Sequence, residues 1–169
     1  MIRSPRHVVR DTGGSAAAEM AMVLPLLLIL MFGTAELGNY FMNQHSLVMA
    51  VRDGARFAAR QNFSNYTACS GPPSGTVVAD TQNVVMRGYL SGGTIITPNI
   101  QTTDVSVTNS CATTVGGQTM GGIYLGRTNG AQIVTVTAAV TYRPILGVIG
   151  FQGFGVQLNA SSQAAVMGA

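Results

Sequence analysis

The sequence predicts an α+β protein: a long N-terminal membrane-spanning helix, residues 15–60, leads into a small head with a short helix and an antiparallel sheet of about three strands. Three observations carry that expectation. Residues 16–35 form a run of 20 in which Glu19 is the single charge. Apolar side chains then recur at three- and four-residue spacing as far as Arg60. From Thr94 onward the alternation changes to period two and becomes rich in Val, Ile and Thr.

Composition sets the outer limits. Hydrophobic residues make up 47% of the 169-residue chain and charged residues 9%, against about 25% in ordinary soluble domains. Such a shortage of charge belongs to membrane, exported or assembled proteins. Every basic side chain is Arg; Arg3, Arg6 and Arg10, with His7, precede the apolar run, and after Arg60 only Arg87, Arg127 and Arg143 remain. Without a basic face on the head, nucleic acid is not an expected partner. The chain divides into a basic cytoplasmic leader (1–14), a stalk helix that is hydrophobic and then amphipathic (15–60), and an exported α+β head (61–169).

Each element has its own signature. Twenty helical residues rise about 30 Å, the thickness of a bilayer's hydrocarbon core. Pro25 lies inside this run, where a membrane helix tolerates it with a local bend. Arg residues before the run and none until Arg52 predict a cytoplasmic N-terminus and an extracytoplasmic head. Beyond the run, Leu37, Phe41, Val48, Val51, Ala55 and Ala58 continue the helical period, which Gly38 and Gly54 weaken only modestly. Arg52, Arg56 and Arg60 fall at i, i+4 and i+8. They form one stripe, either a solvated face or a contact with acidic groups of a neighbouring subunit.

In the head, "CSGPPSGT" is a loop. "TVVADTQNVVMRGYL" reads as a short helix with Val77, Val84, Val85 and Leu90 on its apolar side. Strand patterning covers "IITPNIQTTDVSVTNSC", "AQIVTVTAAVTYRP" and "FGVQLNASSQAAV". Between the first two, "ATTVGGQTMGGIYLGRTNGAQ" is a Gly-rich hairpin or long loop. Cys69 and Cys111, two cysteines in an exported domain, read as one disulfide; the alternative is a pair of buried free thiols.

Catalytic chemistry is poorly supplied. His7 lies in the leader and His45 on the long helix, so the head holds no His to activate a Ser or Cys. Asp80 and Asp104 are the head's only carboxylates, each on a separate element, and read as turn, cap or solvent-facing residues. "GGQTMGGIYLG" lacks the Lys and the strand-to-helix context of a phosphate loop. No catalytic site, cofactor or metal centre is expected.

Glu19 remains to be explained, because a charge inside a membrane helix costs about 2.5 kcal/mol or more. In "RDTGGSAAAEMAMVLPLLLILMFG" a glycine, Gly14, is followed by Ser15 and then by Glu at the fifth position. That spacing resembles the recognition pattern of type IV prepilin peptidases. Together with "SLVMAVRDGARFAAR", and more loosely "VTVTAAVTYRPILGVIGFQGFGVQLNASSQAAV", it resembles the TadE/TadG-like family of pilus-assembly proteins. Members commonly read small-small-small-Glu-aromatic, then Val-Leu-Pro, with a later Ala-Arg-(Asp/Glu)-Gly-Ala-Arg core. Here Met20 replaces the aromatic and residues 50–56 read AVRDGAR.

The resemblance implies a minor pilin or pseudopilin of a tight-adherence (Tad) pilus, cleaved between Gly14 and Ser15. Its Glu19 would pair with the new N-terminal amine of a neighbouring subunit, setting assembly register. Implied partners are the major pilin, another minor pilin, a prepilin peptidase, the inner-membrane platform and membrane lipid. The implied location is the bacterial inner membrane, then the extracellular pilus. Two other readings stand beside it: an unprocessed single-span anchor carrying a binding or adhesive head, and a secretory signal peptide cleaved before Glu36, after the small residues Gly33, Thr34 and Ala35. The plain reading of Glu19 itself is that it lies near the cytoplasmic interface and is simply hydrated there.

Overall fold

The computed structural model describes residues 12–150 and 155–168. The chain forms two compact units, Met1–Gly38 and Asn39–Ala169. Helix α1 (Thr12–Ala59) runs through the boundary between them and continues across Pro25. Its end lies within one residue of the expected one.

In the first unit α1 is apolar on every side. Met22, Ile29 and Leu30 are all more than half exposed, so among the described residues this length has no buried face. An 18-residue window of α1 averages a hydropathy of 2.1, and among the described residues this is the one helix long and apolar enough to cross a membrane.

The second unit has the expected α+β arrangement. After α1 come α2 (Val77–Arg87) and strand β1 (Val105–Ala112); a small hairpin follows, β2 (Thr114–Val115) and β3 (Gln118–Thr119), then β4 (Ala131–Thr141) and β5 (Gln157–Ala165). The main sheet is antiparallel in the order β1-β4-β5. The Gly-rich segment resolves into the β2–β3 hairpin, whose turn residues Gly116 and Gly117 have φ of 58° and 80°. That pair of positive φ values is what a tight hairpin requires and what glycine supplies without strain.

Period two does its work in β4. Val134, Val136, Ala138 and Val140 are buried, while Thr137, Ala139 and Thr141 between them are exposed. The buried face packs with Val105 and Val107 of β1 and Leu158 of β5, and with Leu47, Ala50, Val51, Ala55 and Ala58 of α1. Small residues on α1 permit close approach. At Gly54 an added Cβ would overlap Val85 of α2, so this glycine is a packing requirement as well as a weak helix former.

Three details differ from the sequence-based expectation. Leu37 and Phe41 are exposed, and the buried side of α1 adds Leu47 and Ala50 to the expected Val51, Ala55 and Ala58. On α2 the buried set is Val77, Thr81, Val85 and Met86. Leu90 lies beyond the helix, which Gly88 ends in a left-handed cap at φ 73°. Residues 95–104 are not a strand. Pro98 is followed by Asn99 at φ 65°, and the Asp104 carboxylate accepts the Gln101 N–H at 2.8 Å, closing a 3-10 turn. The apolar side chain of Ile100 still reaches the core from this loop.

Tyr66 ties the end of α1 to the head. It is 1% exposed, and its hydroxyl donates to the Ala58 carbonyl at 2.5 Å. Burial pushes its pKa up from 10.0 to about 12. A phenol held neutral in the fold stabilises it fully below pH 10, and that contribution declines as pH rises from 10 toward 12. The expected result is a loss of up to about 1.4 kcal/mol per pH unit across that window. Chemical denaturation of the chain in micelles should show this slope, and Tyr66→Phe should flatten it at a fixed cost of about 1 kcal/mol for the lost hydrogen bond.

Candidate assembly sites

The first site is the start of α1. Gly14 and Ser15 lie in its opening turns, and nothing stands within 4 Å of where a Gly14 side chain would begin. Glu19 follows on the same helix and is exposed, as are Ala16, Ala17, Ala18 and Ala21. Among the described residues Glu19 has no hydrogen-bond or ion-pair partner. In hydrocarbon such a carboxylate is costly unless a docked charge offsets it. The flanking alanines leave the backbone open to close approach by another helix. The basic leader residues Arg3, Arg6, His7 and Arg10 lie outside the described residues.

The second site is the basic stripe of α1 in the head unit. Arg52, Arg56 and Arg60 are all exposed. Arg56 reaches Asp53 at 3.5 Å, with both side chains more than half exposed; a surface pair of this kind contributes under about 1 kcal/mol. Arg52 and Arg60 have no ion-pair partner among the described residues. Arg56 and Arg60 border an open groove of about 540 Å³ whose other walls include Ile123, Tyr124, Ala164, Ala165 and Met167.

Cys69 and Cys111 are joined in a disulfide, with Cα atoms 5.0 Å apart. The bridge fastens the loop after α1 to the end of β1, and beside it the Asn109 N–H donates to Gly71 O at 2.8 Å. Asp80 opens α2, Asp104 serves the 3-10 turn, and His45 is exposed on α1. The structure does not bring these three together. Among the described residues no three His, Cys, Asp or Glu side chains could share a metal ion.

Periodicity alone missed the polar residues of α1 that dock it. Asn39 Nδ2 donates to the Tyr142 hydroxyl at 2.7 Å, and Gln44 Nε2 to the Asn159 carbonyl at 2.7 Å. Their signal was faint: a cluster of amides in an otherwise apolar helix.

An N-terminal apolar helix joined to a disulfide-closed α+β unit points to the class of membrane-anchored proteins with a single helix. Residues 14–56 match the family model described as TadE-like protein, consistent with a TadE/TadG-like Tad pilus protein. The match starts at Gly14 and takes in Glu19, Arg52 and Arg56. No curated protein and no solved structure matches the chain.

Proposed function

We propose that this chain is a minor pilin or pseudopilin of a bacterial Tad-type pilus. It is inserted in the inner membrane through α1 with its N-terminus cytoplasmic. Cleavage between Gly14 and Ser15 follows, and then assembly with the major pilin and another minor pilin to initiate, cap or support an adhesive filament. The observation that carries this reading is the position of Glu19, fifth after Gly14, inside a stretch that matches the TadE-like family. The role is structural and not enzymatic. The exposed Arg52, Arg56 and Arg60 serve as a subunit contact, and the prepilin peptidase and inner-membrane platform act on the chain in turn.

The continuity of α1 supports this reading over a secretory signal. Gly33, Thr34 and Ala35 lie in mid-helix, where the Thr34 hydroxyl donates to Met31 O at 2.9 Å, whereas a signal-peptide site is cut as extended chain. The span of the family match, residues 14–56, also includes these residues. An unprocessed anchor with an adhesive head is the alternative that the same helix allows. Gly14→Leu separates the two. In cells with the pilus system the substitution should leave the full-length chain in the membrane and abolish the shortened form seen for the unsubstituted protein. If both proteins have the same length, the processed-pilin reading fails.

A further inference from the structure

The main sheet has two edges, and they are treated differently. The Tyr142 N–H donates to Val156 O at 2.9 Å and the Val166 N–H to Gln132 O at 2.8 Å. With the β4–β5 register, these two bonds fix the phase of the ladder: even-numbered residues of β5 bond to β4, and odd-numbered ones turn their N–H and C=O outward. The same reasoning makes the odd residues of β1 face its outer edge. That edge is occupied: Asn109 N–H bonds Gly71 O, and Val105 O accepts from Gln82 Nε2 of α2 at 3.0 Å.

The β5 edge is left open. Among the described residues the Asn159 carbonyl has a partner, Gln44 of α1, and the outward amides and carbonyls of Ser161 and Gln163 have none. All five odd residues, Gln157 to Ala165, are exposed, and the strand carries no charge and no proline. Natural sheets protect a long edge with charge, proline or a covering element. Here α1 bonds the edge at its two ends, Asn159 and Met167, and the stretch between them, at Ser161 and Gln163, has no such guard; an unguarded stretch is a template for strand addition.

What lies beside the edge identifies the occupant. Gln44 meets Asn159 near the start of β5, and Ala59 O accepts the Met167 N–H at 2.8 Å just past its end. About 22 Å of helix thus runs alongside about 26 Å of strand in the same direction. Arg52, Arg56 and Arg60 share one four-residue ridge of α1, and the groove lined by Arg56, Arg60, Ala164 and Ala165 places the last two beside the end of the strand. Successive arginines on the ridge are about 6 Å apart, and alternate residues of an extended strand are about 6.6 Å apart. Carboxylates at every second position of an added strand would each meet one arginine.

We infer that the free edge of β5 and the Arg52, Arg56 and Arg60 stripe form a single strand-addition site for an acidic extended segment of a different protein. That segment has Asp or Glu at alternate positions facing α1 and small polar residues between them, beside Asn159, Ser161 and Gln163. A second copy of this chain does not fit, because antiparallel β5–β5 pairing would bring two arginine stripes to the same seam. The inference rests on the reading of the stripe as a subunit contact and gives that contact its partner chemistry.

The test uses the full chain in zwitterionic micelles and three labelled seven-residue peptides. One alternates Thr and Glu, one alternates Thr and Lys, and one is the Glu peptide with a central proline. The Glu peptide should bind at least about tenfold more tightly than the other two, weaken with salt, and slow amide exchange at Ser161 and Gln163. Gln163→Pro removes an outward donor and no ladder bond, so it should weaken binding about tenfold with melting unchanged. Gln163→Glu keeps every backbone donor and adds a charge that repels the Glu peptide, and should do the same even if the proline variant misfolds. Equal binding of the Glu and Lys peptides overturns the inference. So does Glu-peptide binding that neither substitution weakens, or self-association of the chain that Gln163→Glu abolishes. If the leader proves to be uncleaved, the processed-pilin proposal fails and these peptide results stand.

Discussion

Glu19→Ala leaves membrane insertion and leader removal intact and lowers the filament-incorporated fraction of the chain by about tenfold or more. In the membrane the carboxylate carries a penalty of about 2.5 kcal/mol or more, so removing it cannot harm insertion. In the proposed filament the same group meets the α-ammonium of Ser15 on a neighbour. One stagger of the helices makes that pair, and every other stagger leaves a charge unpaired in hydrocarbon. Alanine removes both the attraction and the penalty against wrong registers, while the surrounding Ala16, Ala17, Ala18 and Ala21 still allow the helices to touch. Glu19→Gln should behave similarly, since a neutral amide does not select the amine. The measurement is the ratio of sheared filament to membrane pool, with chain length checked in each pool. Normal incorporation of Glu19→Ala would remove the register role.

The second large effect concerns the head. Replacing both Cys69 and Cys111 by Ala, or reducing the bond, should lower its stability by about 4 kcal/mol, the chain-entropy value for a loop of this length. The bridge spans 42 residues of sequence, including all of α2 and the loop of residues 95–104. Opening it in the unfolded state releases that whole segment. In the folded state it also frees the strap whose Gly71 carbonyl occupies the β1 edge. Denaturation of the full chain in micelles, with and without reductant, reads this directly through the head's tyrosines. Coincident curves would show that the bridge contributes nothing.

The elements most legible in the sequence were those whose pattern is local. β4 declares itself through Val134, Val136, Ala138 and Val140, because one buried face and one exposed face alternate with the pleat. The apolar half of α1 declares itself by length. Residues 95–104 misled because Ile95, Ile96 and Ile100 have the composition of a strand; the pair Pro98 and Asn99 was the better signal, since proline and a left-handed asparagine interrupt a ladder. Buried Leu47 and exposed Leu37 could not be told apart by periodicity, because α1 is apolar on both sides near Gly38 and only the position of the sheet decides.

The candidate sites divide in the same way. Gly14, Ser15 and Glu19 are a linear motif, and their spacing is the information. Arg52, Arg56 and Arg60 were visible as a stripe. That the stripe runs beside an unguarded edge at Ser161 and Gln163 was not, because it depends on the docking of Gln44 on Asn159 across 115 residues of sequence. The cysteine pairing followed from there being two cysteines; the edge that it helps to cover did not.

The most direct test of the proposed pilin role is the intact mass of the chain purified from cells that carry the pilus system. A processed pilin gives a mature chain beginning at Ser15, lighter than the full sequence by residues 1–14. A chain still beginning at Met1, or one beginning at Glu36, would contradict that role.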